Sequence, residues 1–70
     1  MEFTREREDY VAVAVNGRRW RIWAVRGGWR MEFRDPRDSK PTNAGTFGTL
    51  RAAQVEASRR TERDPRRAAR

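Results

Sequence analysis

YVAVAVNGRRWRIWAVRGGWRMEFR, residues Tyr10–Arg34, decides the fold. Two glycine turns divide it into three β-rich runs. Asn16-Gly17 is a strong two-residue hairpin signal, because both turn positions need a positive φ. Gly27-Gly28 supplies a second turn of the same kind. The runs Tyr10–Val15, Arg18–Arg26 and Trp29–Arg34 are then strands of an antiparallel meander. Two-residue turns place Val15 opposite Arg18, and Arg26 opposite Trp29. Cross-strand partners share a face. One face therefore gathers Val11, Val13, Val15, Trp20, Ile22, Ala24, Trp29, Met31 and Phe33, with Arg18 and Arg26 at its turn ends. The other gathers Tyr10, Ala12, Ala14, Arg19, Arg21, Trp23, Val25, Arg30, Glu32 and Arg34. The sorting predicts an apolar side for a core and an arginine side around Trp23.

Asp35-Pro36 ends the third run, since proline has no ladder N–H. Arg37–Asn43 reads as a polar loop, and Asn43–Phe47 as a short fourth strand. Thr49 fits a helix N-cap. Leu50, Ala53 and Ala57 recur on one side of the turns that follow, with Val55 off that stripe. Small alanines would let this helix lie close against the apolar face, with Phe47 packing at its start. The expected class is α+β: an antiparallel sheet of three to four strands packed on one C-terminal helix. The expected organisation is a flexible acidic N-terminus over 1–9, one domain over 10–58 and a disordered basic tail over 59–70.

Seventy residues with no cysteine form one small domain without disulfide support. The net charge of +7 is uneven. Residues 10–34 hold six arginines and one acid, and residues 59–70 hold six arginines and two acids. A basic sheet and a basic tail point to a polyanion. Arginine is the better fork for phosphate and base edges, and it supplies all but one of the 17 basic residues. With neither cysteine nor histidine, and no paired carboxylates or activated serine, no catalytic residue, metal site or cofactor is expected. The chain reads as a non-enzyme. No stretch is apolar enough for a signal peptide or a membrane span, so a cytoplasmic location is expected, at the nucleoid if DNA is bound.

GGWRMEFRDP (Gly27–Pro36) and GTFGTLRAAQVEA (Gly45–Ala57) carry a family resemblance. Gly27–Ser58 resembles the DNA-binding domain of plant ethylene-response (APETALA-type) factors. It is similar also to the arm-binding domains of tyrosine recombinases and to modules of phage homing endonucleases. Trp29, Glu32, Phe33, Arg34, Asp35 and Pro36 match the family's strand. Gly45, Thr46, Phe47, Thr49, Ala53 and Ala57 match its helix entry. The resemblance implies a three-stranded sheet laid in the major groove with a helix behind it. It also implies that Glu32 and Arg34 face DNA while Trp29 and Phe33 face the core. The family's arginine and tryptophan before the GTF motif are replaced here by Pro41-Thr42-Asn43-Ala44, and Tyr10–Val15 has no counterpart.

The expected function is double-stranded DNA binding through Arg19, Arg21, Trp23, Arg30, Glu32 and Arg34, with Arg59 and Arg60 adding electrostatic grip. A small bacterial or phage accessory or regulatory factor fits that role. One rival is a protein-binding inhibitor or adaptor using Tyr10 and Trp23. A form of it is a HicB-like antitoxin, which has a similar Gly-Trp strand and T-L-x-x-A helix start. RNA binding by the sheet face is another rival. A homodimer formed by pairing 10–15 edges is a further expectation.

Overall fold

The computed structural model describes residues 1–62. Five strands precede one helix: β1 (Thr4–Glu6), β2 (Asp9–Val13), β3 (Arg19–Val25), β4 (Gly28–Arg34), β5 (Thr42–Phe47) and α1 (Leu50–Glu62). The strands lie in the sheet in chain order, each antiparallel to the next. The α+β class holds, with five strands in place of three to four.

Asn16-Gly17 does turn the chain between β2 and β3, but within a three-residue loop. Gly17 N donates to Ala14 O at 2.9 Å and Ala14 N donates to Arg18 O at 2.8 Å. Gly17 alone takes a positive φ, 87°, while Asn16 does not. This is the hairpin of a turn followed by a left-handed glycine, not the two-residue turn. Asn16 Oδ1 accepts from Arg18 N at 3.0 Å and fixes the loop. Val13 consequently pairs with Arg19, and Ala12 with Trp20. The register moves by one residue, and a one-residue slip reverses both faces of a strand. Tyr10, Ala12 and Ala14 turn to the core side. Val11, Val13 and Val15 join the arginines. The small Ala12 opposite Trp20 leaves room for the indole, which is fully buried.

The second turn is displaced too, without that consequence. Val25 pairs with Gly28, so Arg26-Gly27 make the turn. The shift from the expected Arg26–Trp29 pairing is two residues, an even number, and the faces of β3 and β4 stand as expected. Trp20 pairs with Phe33, Ile22 with Met31, and Arg21 with Glu32.

Residues 1–9, expected as a flexible terminus, contain β1. Arg7, at φ 61°, helps reverse the chain into β2, and Phe3 packs against the core. β5 carries one extra residue opposite the Met31–Glu32 step of β4. Met31 pairs with Gly45 and Glu32 with Asn43, which leaves Ala44 between the two partners. Ala44 is buried in the core. A bulge of this kind re-aims a side chain that strict alternation would send outward.

Thr49 caps α1 as expected: its Oγ1 accepts from Ala52 N at 3.0 Å. Leu50, Ala53 and Ala57 face the sheet, with both alanines fully buried, and Val55 is exposed. Thr61 continues the buried stripe and donates its hydroxyl to Ala57 O at 2.9 Å. The helix therefore runs past Ser58, the boundary read from sequence. The rest of the expected basic tail, from 63 onward, lies outside the described residues. Trp20, Ile22 and Met31 form the centre of the core with Ala44, Ala53 and Ala57. Burying each such large side chain is worth about 1.5–3 kcal/mol. Trp20 Nε1 is enclosed there without a hydrogen-bond partner, a cost of about 1–3 kcal/mol that the indole's packing must exceed.

Candidate nucleic-acid interface

The helix covers one side of the sheet and leaves the other open. Pairing sorts the open side into rows across the strands. Asp9, Trp23, Arg30 and Thr46 make one row. Val11, Arg21, Glu32 and Asn43 make the next. Val13, Arg19 and Arg34 make the third. Glu6 and Thr4 extend the first two onto β1. The six sheet residues expected at the interface, Arg19, Arg21, Trp23, Arg30, Glu32 and Arg34, thus share this face.

The arginines fall into two kinds. Arg21 is held by acids: Nε donates to Asp9 Oδ2 at 2.6 Å, and Glu32 lies at 3.9 Å. Its guanidinium sits 5.6 Å from the ring centroid of the half-buried Trp23. Stacking and two carboxylates fix one orientation for a side chain that would otherwise sample many. Arg19, Arg30 and Arg34 are exposed, with no hydrogen-bond or ion-pair partner among the described residues. Arg19 and Arg34 are direct cross-strand partners. Both line a cleft of about 740 Å³ together with Val11, Arg21, Glu32 and Pro41.

Behind the Arg19–Arg34 pair, on the core side, the neighbouring residues make the opposite kind of contact. Arg18 forks onto Asp35, Nε to Oδ1 at 2.7 Å and Nη2 to Oδ2 at 3.1 Å. The same guanidinium lies 4.1 Å from the Phe33 centroid and 5.8 Å from that of Trp20. Arg18 was expected only as a turn-end residue of the apolar face; it closes that end of the core.

Three sequence expectations about the face are corrected. Tyr10 is not on it. The ring meets Trp29 edge-on at 6.0 Å on the core side, so Tyr10 and Trp23 cannot form one surface. Arg59 and Arg60, expected in a disordered tail that adds grip, ride instead on the last turn of α1 behind the sheet. Arg59 Nη1 donates to Glu56 at 3.1 Å, while Arg60 donates to Glu56 at 2.9 Å and to Ala44 O at 3.2 Å. The 10–15 run is an edge only in part, since β1 pairs with its Tyr10 and Val11 on the outer side. The sheet edges are β1 and β5, and β5 is guarded by its bulge and by the Arg60 contact.

The acidic charge of residues 1–9 pointed to a weak counterion for the arginine face, and Glu6 and Asp9 do lie on that face, carried there by a β1–β2 hairpin that no glycine turn announces. Val13 and Val15 were placed in the core and are 62% and 78% exposed. Among the described residues no group of histidine, cysteine, aspartate or glutamate side chains is placed to hold a metal ion, and no helix is long and apolar enough to cross a membrane. No family model, curated protein or solved structure matches the chain.

Proposed function

We propose that the protein binds double-stranded DNA through the open face of its sheet. The observation that carries this reading is the grouping of Arg19, Arg30 and Arg34, exposed and without partners among the described residues, on the face away from the helix around Trp23. Unpaired arginines are poised for phosphates and guanine edges, and the major groove admits paired β-strands. β3 and β4, the two longest strands, present all three. Arg21, oriented by Asp9 and Glu32, is positioned to direct a fixed donor fork at a base edge. The resemblance of Gly27–Ser58 to sheet-in-groove DNA-binding domains supports the same face. Four arginines stand there against Glu6, Asp9 and Glu32, so local geometry rather than bulk charge would steer the contact. A small bacterial or phage regulatory or recombination accessory factor, acting at the nucleoid, suits such a module.

Fluorescence anisotropy with a labelled mixed-sequence duplex tests the reading. Log K should fall linearly with log salt, with a slope of about −0.9 per neutralised phosphate. Arg30→Glu should weaken binding by at least about tenfold, since a lost phosphate contact becomes a repulsion. Absence of binding at low salt, or an unchanged affinity for Arg30→Glu, contradicts it.

A protein partner is the second reading, favoured by the exposed Val13 and Val15 and the three interleaved carboxylates. It predicts a salt dependence shallower than one phosphate's worth and loss of binding on Val13→Lys. RNA binding predicts that single-stranded RNA displaces the duplex.

A further inference from the structure

We infer that Arg19 and Arg34 form a built subsite for a single phosphate group, held together by the Arg18–Asp35 ion pair on the opposite side of the sheet. This deepens the DNA-binding reading and rests on it for the identity of the ligand, though not for the anion chemistry. The two arginines are direct cross-strand partners at the end of the β3–β4 ladder. Side chains in that relation start about 4.5–5.5 Å apart at Cβ, and like charges directly opposite destabilise a sheet. Neither forms an ion pair among the described residues, while Glu32, which lines the same cleft, lies 3.9 Å from Arg21.

The sheet end nevertheless stays closed. One residue before Arg19 and one after Arg34, Arg18 and Asp35 make a two-pronged ion pair at 2.7 and 3.1 Å on the core side. Each of its side chains is about four-fifths shielded from water, at 16% and 20% exposure. The attractive pair and the repulsive pair lie back to back across the same backbone segment. The first resists the splaying that the second would cause. Two guanidinium groups carried on directly opposed strand positions, beside a cleft shared with Val11, Glu32 and Pro41, offer donors to the oxygens of one phosphodiester or inorganic phosphate. Arg18 and Asp35 are positioning residues for this subsite and touch no ligand.

The test pairs a stability measurement with a binding measurement on the full chain. Melting is followed in chloride and in inorganic phosphate at matched ionic strength, for wild type, Arg19→Gln, Arg34→Gln and the turn variant Arg26→Gln. Phosphate should raise the wild-type and Arg26→Gln Tm by several degrees more than chloride does. Arg19→Gln and Arg34→Gln should each lose most of that increment. Each should also melt about 1–6 °C higher than wild type in chloride, because the opposed charges are relieved. On a duplex, either variant should bind about eightfold more weakly at 0.1 M salt and reduce the salt slope by about 0.9, the share of one phosphate. A lower Tm in chloride, or a phosphate increment equal to wild type, overturns the subsite. If the increment is lost as expected but no duplex binds, the subsite stands and the DNA reading falls. If both variants keep the wild-type phosphate increment and bind the duplex as wild type does, the DNA reading stands and the subsite falls.

Discussion

Arg18 and Arg19 are adjacent in sequence and have opposite fates. Arg18 meets Asp35 and two aromatic rings on the core side, and Arg19 meets Arg34 on the open side. Alternation along a strand is enough to separate them. The opening pattern showed that Arg19, Arg21, Arg30 and Arg34 share a side with Trp23, because β3 and β4 keep their relative parity. It did not show which of them are free. That depends on Asp9, a β2 residue whose facing follows from the loop at Asn16-Gly17. Removing one partner of the shielded Arg18–Asp35 pair leaves the other short of its hydrogen bonds. Asp35→Asn should therefore lower stability by about 1–3 kcal/mol, discounted for partial exposure, in a urea unfolding titration. An unchanged midpoint would mean that the pair does not hold the sheet end.

β2 shows how strands can be visible while their facing is not. Asn-Gly serves equally as a two-residue turn and as the end of a three-residue loop. Local propensity does not choose between them. The choice is made by the core, where Trp20 needs a small partner and finds Ala12. The error at the second turn was larger in residues but harmless, being even. β1 was not legible at all, since Thr-Arg-Glu has no apolar residue and only Phe3 hints at a core contact. The helix was legible from its cap and alanine stripe, except at its end, where Thr61 is buried because its hydroxyl is satisfied by Ala57 O. The β2 facing yields a reciprocal prediction. Ala12→Leu should overpack the site beside Trp20 and cost about 1–3 kcal/mol. Val13→Lys, on the exposed side, should alter stability by less than about 0.5 kcal/mol. Denaturant midpoints of the two variants read this out, and the reverse order would restore the two-residue turn.

In the whole molecule, one helix covers one side of a five-stranded meander and commits the other side to solvent. The total charge suggested a polyanion, without showing how the described charges divide between the two sides of the sheet. Arg59 and Arg60 sit behind the sheet, bound to Glu56 and Ala44, while β1 and β2 bring acids onto the open face. What the open face offers a ligand is compact: three arginines without partners among the described residues, one oriented arginine and Trp23. Their arrangement was mostly legible because it is carried by two long, strongly patterned strands. The dilution by Glu6 and Asp9 was legible only as acidic charge near the face, because their places depend on β1, a short strand without a pattern, and on the facing of β2. Backbone amide shifts of the protein, recorded with and without a mixed-sequence duplex, test the open face as the DNA-binding surface. The perturbed amides should cluster on Arg19–Val25 and Arg30–Arg34, with Ala53, Ala57 and Thr61 undisturbed. Perturbations centred on α1 instead, with the β3–β4 amides unmoved, would contradict it.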